Sequence, residues 1–454
     1  MPSITLCRIH LILIMSEESL LRIQRLEQEN AQLKEEIALL RHQNSSDEIS
    51  LTSLSTSTLS LEEYRRYGRQ MIVPDFGSLA GQLRLKESKI LVIGAGGLGC
   101  PALLYLCGAG VGTIGILDND VVDVSNLHRQ VLHTTDRVGM LKCESARMYL
   151  SLLNPHVNVI THPERLTNEN AFAIISQYDL VVDCTDTPAT RYLINDVSVL
   201  CGKTIVSGSG VKSDGQITVL NFNNEGPCYR CFYPKPPKPE SVSTCGDAGV
   251  LGPAIGLTGV ALAVETIKVL TGYYDGAFKP FLSMYTAYPQ QAMRVFKMRN
   301  RQPNCASCGD SPVISRASIE SNAINYAAFC GSVNSNVLTE DLRVSPRDFQ
   351  KIFDQQNVVV VDVRPKEQFG ITKLPNSINI AWEYNLANMD SIDKYLPATF
   401  DKDVDHVYVV CRYGNDSQLA TRKLIDQFGF KHVKDIKGGL NKWSTDVDPT
   451  MPIY

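Results

Sequence analysis

This sequence lacks the marks of secretion. Its apolar N-terminal run, Ile9–Met15, falls far short of the roughly 20 residues of a membrane span, and no small-residue cleavage pattern follows it. It also lacks an excess of either charge. The 44 Lys and Arg against 48 Asp and Glu leave a net charge of −4, which gives no ground for broad binding to nucleic acid or anionic membrane. A disulfide framework is missing too. The 13 cysteines are odd in number and scattered along the chain. They fit a reducing compartment, where thiols act as ligands, nucleophiles or small core residues. A cytosolic protein with no direct nucleic-acid or membrane partner is the expectation. Met15 is an alternative start to Met1.

What is present is length and pattern. The 454 residues suffice for two or three domains, each with its own core. Ile23, Leu26, Asn30, Leu33, Ile37 and Leu40 recur three and four apart, which is an a/d stripe. It is too short to separate a coiled coil from a lone amphipathic helix. Residues 44–60 are rich in Ser and Thr and read as a linker. From 61 to 330 strand-like runs (Lys89–Ile93, Thr113–Leu117, Leu180–Cys184, Thr204–Ser207) alternate with helix-like ones (Pro101–Ala109, Arg191–Leu200). Such alternation predicts a parallel α/β sheet. Gln216–Phe222 alternates as a later antiparallel strand would, and the Pro- and Gly-rich stretch from Pro234 through Pro253 reads as a mobile loop. Residues 331–344 read as a tether. A second α/β unit, 345–454, has strands at Val358–Val361 and Val407–Val410 and a helix at Gln418–Phe428.

The motif GAGGLG, Gly94–Gly99, follows the first strand and precedes a helix. Its spaced glycines let backbone approach a phosphate at a helix N-terminus. Asp118 lies where an acid would grip a ribose hydroxyl. These features alone favour a nicotinamide dehydrogenase. The run Ser125-Asn126-Leu127-His128-Arg129-Gln130, then Lys142 and Asp183-Cys-Thr-Asp186, shifts the reading. Two cations and an acid suit a triphosphate with magnesium, whose leaving pyrophosphate needs charge stabilisation.

Cys228/Cys231 and Cys305/Cys308 are two CxxC pairs, and four thiolates so spaced suit tetrahedral structural zinc. Cys245 sits in Ser-Thr-Cys-Gly-Asp-Ala-Gly, among small polar neighbours. A nucleophilic thiolate fits there better than a core thiol. Cys411 follows a strand and opens a six-residue polar loop into a helix. Backbone N–H groups there are expected to favour a thiolate or persulfide.

Together, Arg69-Gln70, GAGGLG, LDND, SNLHRQ, Lys142 and DCTD resemble the adenylating domain of the ThiF/MoeB and ubiquitin-activating superfamily. The resemblance implies a Rossmann-like adenylation domain over 61–330 that binds ATP through Gly96, Asp118, Ser125–Arg129, Lys142, Asp186 and Thr187. It further implies Asp186 as magnesium ligand, Arg69 reaching the nucleotide of a second subunit in a homodimer, and Cys245 as a crossover-loop cysteine able to form a thioester. Residues 345–454, with Asp362-Val-Arg364, Cys411, Lys437-Gly-Gly439 and Trp443, resemble a rhodanese domain. Asn415-Asp416 stands where thiosulfate users often carry basic residues, so a protein donor such as a cysteine desulfurase is expected.

The combination, preceded by a short N-terminal helix, resembles the eukaryotic adenylyltransferases and sulfurtransferases that serve molybdopterin synthase and the ubiquitin-related modifier. That implies a bifunctional enzyme which adenylates the terminal glycine of a ubiquitin-fold sulfur carrier and turns it into a thiocarboxylate. The product would feed tRNA wobble-uridine thiolation and molybdenum cofactor biosynthesis. The rival is an activating enzyme for ubiquitin-like conjugation through a Cys245 thioester. The sulfur-carrying domain argues against it, because conjugation needs no sulfane sulfur.

Overall fold

The structure, a computed structural model, describes residues 58–236, 249–326, 337–355, 358–382 and 386–454, together with Arg22, Arg25, Gln28 and Gln32. The chain divides into two compact units, Met1–Thr58 and Leu59–Tyr454. In the first, Arg22, Arg25, Gln28 and Gln32 are helical and exposed. The apolar stripe residues beside them lie outside the described residues.

The second unit holds an eight-stranded and a five-stranded sheet. The larger is built from β1 (Lys89–Ile93), β2 (Thr113–Leu117), β3 (Asn158–His162), β4 (Leu180–Asp183), β5 (Thr204–Val211), β6 (Asp214–Leu220), β7 (Phe281–Thr286) and β8 (Ala292–Lys297). Its order is β3-β2-β1-β4-β5-β6-β7-β8. The strands from β3 to β5 pair parallel, and β6, β7 and β8 extend the sheet antiparallel.

Strand β1 reads Lys-Ile-Leu-Val-Ile, with all but its first residue buried. An unbroken apolar run is what a strand covered on both faces requires. Ile90 and Val92 join a core with Leu103, Leu106 and Leu262. Leu91 and Ile93 join the opposite core with Tyr192 and Val197. Each such fully buried aliphatic side chain contributes about 1.5–3 kcal/mol. Helices Gly99–Ala109 and Gly252–Thr271 thus cover one face, and Pro188–Leu200 the other.

Gly252 and Pro253, expected at the end of the loop, instead open the helix Gly252–Thr271. Pro253 sits in its first turn, where the missing N–H costs nothing. The helix is long and apolar enough to cross a membrane, but Ile255, Leu262 and Ala263 are packed in the core.

The second sheet has the order β11-β10-β12-β13-β9 and is parallel throughout. Its strands are β9 (Arg343–Val344), β10 (Val359–Asp362), β11 (Ile378–Asn379), β12 (His406–Val410) and β13 (His432–Ile436). The expected tether 331–344 is shorter than its sequence suggested. Arg343 and Val344 pair with β13, Leu338 is buried, and the Val337 N–H donates to Gln418 Oε1 at 3.2 Å. Residues 331–336 lie outside the described residues.

Candidate functional site

A cavity of about 690 Å³ opens at the carboxyl ends of β1, β2, β4 and β5. In an open parallel sheet this is where ligands bind. The glycine-rich turn forms its floor. Gly99 must be glycine, because a Cβ there would stand 1.9 Å from Gly94 O. Both ends of the Ala95 residue are held. Its N–H donates to Asp118 Oδ2 at 2.8 Å, and its carbonyl lies 2.9 Å from Nε2 of buried His133. Asp118 also accepts from the Asp120 N–H at 2.8 Å. Burial pushes the Asp118 carboxyl up, opposed by nearby Lys142 and these two N–H donors.

Gly96, Asp118, Asn126, Arg129, Lys142, Asp186 and Thr187 all line this cavity. Ser125, Leu127 and His128 do not. Two of these three hold Arg129 instead. The guanidinium donates to Ser125 O at 3.1 Å and Asn126 Oδ1 at 2.7 Å, and lies 2.8 Å from His128 Nε2. Burial, then the Arg129 charge, lowers the His128 pKa. Lys142 begins its helix, Lys142–Leu153. Its ammonium pairs with Asp120 at 2.8 Å. Asp186 leaves β4 through a turn fixed by buried Asp183, which accepts from the Thr185 N–H and from the Ser207 hydroxyl. Arg69 is exposed in the last turn of the helix Leu61–Met71 and does not line this cavity.

Two further lining residues escaped the sequence reading. Arg191 donates to the carbonyls of Thr185 and Gly208, pinning β4's end to β5. Gln130 is 4% exposed, and its Oε1 has no hydrogen-bond partner among the described residues. A buried unpaired acceptor at a cavity wall awaits a donor. Gln130 stood in the SNLHRQ run, so the motif carried the signal. Arg191 carried none beyond its place in a helical pattern.

The four cysteines of the CxxC pairs converge, with their sulfurs all within 4.8 Å of one another. Cys228–Cys305 and Cys231–Cys308 approach to 3.5 and 3.4 Å. A tetrahedron with metal–sulfur bonds of about 2.3 Å has sulfurs about 3.8 Å apart, between the closest and farthest separations here, so the cluster fits zinc after small shifts. The Gln302 N–H donates to Cys231 Sγ at 3.4 Å, as a thiolate ligand would favour. The knuckle is fastened to the domain by Arg230, paired with buried Asp196 at 2.7 Å.

Cys411 ends β12 and is 3% exposed. The Gly414 N–H donates to its sulfur at 3.1 Å, and Ser417 Oγ lies 3.3 Å away. The loop is clamped from the other side by N–H bonds from Leu440 to Cys411 O and from Asn441 to Arg412 O. Gly439 allows this approach, since a Cβ would lie 2.3 Å from Cys411 O. The expected thiolate is not favoured here. Burial first, then the Asp416 charge, raises the Cys411 pKa, outweighing the donors from Ser417 and Gly414. Asp362 and Arg364 form a buried bidentate pair that also binds the Tyr454 hydroxyl, so they brace the fold behind the loop. Cys245 and Cys330 lie outside the described residues.

The ThiF family profile matches residues 67–307, and the rhodanese-like domain profile matches 345–446. The chain is 62% identical over 441 residues to the adenylyltransferase and sulfurtransferase UBA4 of Scheffersomyces stipitis, covering 96% of this chain and 98% of that one. It is 60% identical to the protein of that name in Debaryomyces hansenii, over 96% and 99% of the two chains. In Saccharomyces cerevisiae the corresponding figures are 51%, 96% and 99%. A phosphate-sized glycine turn among opposed charges and a cradled cysteine on a separate sheet are what those two named activities require, and the chain belongs to the ThiF family, in its branch of rhodanese-bearing adenylyltransferases and sulfurtransferases.

Proposed function

We propose that the enzyme adenylates the C-terminal glycine of a ubiquitin-fold sulfur carrier and then converts it to a thiocarboxylate with sulfur held on Cys411. The carriers are the ubiquitin-related modifier and the small subunit of molybdopterin synthase. The observation that carries this reading is the cavity itself, which Arg129, Lys142, Asp118 and Asp186 line together with the glycine turn.

The glycine turn and Lys142 hold the ATP phosphates, Asp118 the ribose, and Arg129 the departing pyrophosphate, whose growing charge it offsets. Gln130 Oε1 accepts from the nucleotide. Asp186 would hold magnesium, which would supply positive charge against the phosphates. The carrier's carboxylate attacks the α-phosphate, forming the acyl adenylate. Cys245 takes the acyl group as a thioester. The Cys411 persulfide attacks the thioester carbonyl and displaces the Cys245 thiolate, which then cleaves the acyl disulfide at Cys411 Sγ, releasing the thiocarboxylate and leaving a Cys245–Cys411 disulfide for an external thiol to reduce. Arg69 reaches the cavity of a second copy in a homodimer, Cys228, Cys231, Cys305 and Cys308 would hold zinc as a structural cross-link, and a cysteine desulfurase loads Cys411 in the cytosol. The thiocarboxylate serves wobble-uridine thiolation of tRNA and molybdenum cofactor synthesis.

The test is incubation with ATP, magnesium, a persulfide donor and a Gly-Gly-tailed ubiquitin-fold protein, followed by intact mass. The carrier should gain the mass of one sulfur in exchange for one oxygen. No gain, with nicotinamide reduced instead, would overturn the reading.

A further inference from the structure

We propose that Ser417 and Asp435 take the proton from the Cys411 thiol as its sulfur attacks a sulfane-sulfur donor, an inference that rests on Cys411 being the sulfur carrier. The observation is a line of polar groups sunk in an apolar core. Ser417 and Asp435 are both 0% exposed. Ser417 Oγ lies 3.3 Å from Cys411 Sγ and donates to Asp435 Oδ1 at 2.5 Å. Asp435 Oδ2 accepts from Arg343 Nε at 2.8 Å.

The direction follows from proton counting. A serine hydroxyl has one proton and two lone pairs, and an ionised carboxylate only accepts. The Arg343 guanidinium at 2.8 Å favours the carboxylate form of Asp435, so the Ser417 proton points to Asp435. The Ser417 oxygen then faces the thiol as an acceptor, and the thiol is the donor. Tying β9 to β13 needs only the Arg343–Asp435 pair. The other carboxylate oxygen is instead aimed, through one hydroxyl, at the reactive sulfur.

A need for such a base exists. The nucleophile is the thiolate, while burial and Asp416 hold Cys411 in the thiol form. The charged groups bearing on the relay are Asp416 at the start of the helix Asp416–Asp426, Asp435 and Lys437 at β13, and Arg343 on β9. Burial also raises the Asp435 carboxyl, which suits it to accept a proton.

In the step, Cys411 passes its proton to Ser417 Oγ as Ser417 passes its own to Asp435. The freed sulfur electron pair attacks the outer sulfur of a donor persulfide, R–S–SH. A new S–S bond forms on Cys411, the donor's S–S bond breaks, and its electron pair leaves on R–S⁻. Cys411 ends as –S–SH, Asp435 carries one proton, and the total charge is unchanged. The leaving thiolate later recovers the proton through solvent.

The experiment follows loading of Cys411 in the full-length protein by intact mass, with glutathione persulfide as donor, from neutral to alkaline pH. Asp435→Asn keeps an acceptor for Ser417 but is no base. Ser417→Ala breaks the relay and leaves the ion pair intact. Both should load about a hundredfold slower at neutral pH, the low end of what a positioned base contributes. Both should recover in alkali, where hydroxide replaces the base, and Ser417→Thr should restore the neutral rate. Pyrophosphate exchange should stay at the wild-type level in all of them. Wild-type loading by Ser417→Ala would overturn the relay alone. So would an equal deficit at every pH accompanied by a lower melting temperature, which would mark a merely structural role. Wild-type protein that took up no sulfur would sink the carrier reading and the relay together.

Discussion

The cavity at the ends of β1, β2, β4 and β5 is about 690 Å³ and lined by charges of both signs. Asp120, which pairs with Lys142 there, is 63% exposed. Cys411 instead lies 3% exposed, under one backbone N–H and one hydroxyl. The contrast follows from the size of what each handles. A nucleotide and a peptide tail need room, and their charges need partners free to rearrange. A single sulfur atom needs a small, dry cradle that excludes competing nucleophiles. The first site is therefore sensitive to charge, and the second to the few atoms around one sulfur.

The sharpest way to break that comparison is Cys411→Ala. It should abolish sulfur gain by the carrier while leaving ATP–pyrophosphate exchange at the wild-type rate, as read by intact mass and isotope exchange. Loss of both would mean that the two sites are not separable. Asp186→Ala should cut exchange at least about a hundredfold, as loss of a group stabilising transition-state charge does, and sulfur gain would fall with it. Persulfide loading of Cys411 in that variant should be untouched.

Cys228→Ser probes the cluster that the comparison leaves aside. Metal binding at such sites is folding free energy. The adenylation end should melt roughly 10 °C lower, given about 2–4 °C per kcal/mol for a domain of this size. Cys411 should still load in the cold. An unshifted melt, with zinc retained by elemental analysis, would remove the cluster from the fold's support. Gln130→Leu is milder. It should raise the KM for ATP roughly tenfold, the equivalent of one buried hydrogen bond to a ligand, with kcat little changed.

Sequence and structure agree most closely where the chain is buried on both sides. β1 and β2 run over the expected residues because central parallel strands are unbroken apolar runs. The Gly252–Thr271 helix was hidden because Gly252 and Pro253 look like loop residues, and only packing against the Gly99–Ala109 helix reveals them as a helix start. Site residues within contiguous motifs were legible. Arg191 was not, because its carbonyl partners Thr185 and Gly208 come together only through β4–β5 pairing. Asp435 left a faint trace, a carboxylate in a strand between Val433 and Ile436. The state of Cys411 was misjudged because its neighbours in sequence are donors and its neighbours in space are mostly apolar.

That misjudgement supplies the mildest test. Asp416 is the second cause, after burial, of the raised Cys411 thiol. A carboxylate beside a thiol disfavours the thiolate, so Asp416→Ala lowers the thiol pKa and raises the thiolate fraction at any pH below it. Alkylation of Cys411 by iodoacetamide should then reach half its maximal rate at a lower pH. The gain should be a few-fold at neutral pH, because Asp416 is exposed and water and salt screen its charge. The same change removes repulsion of an anionic donor, so loading from thiosulfate should rise more than loading from a neutral alkyl persulfide. Equal gains would show that thiolate fraction alone controls the step, whereas a gain confined to thiosulfate would make Asp416 a filter on the donor and leave burial as the main hold on the thiol.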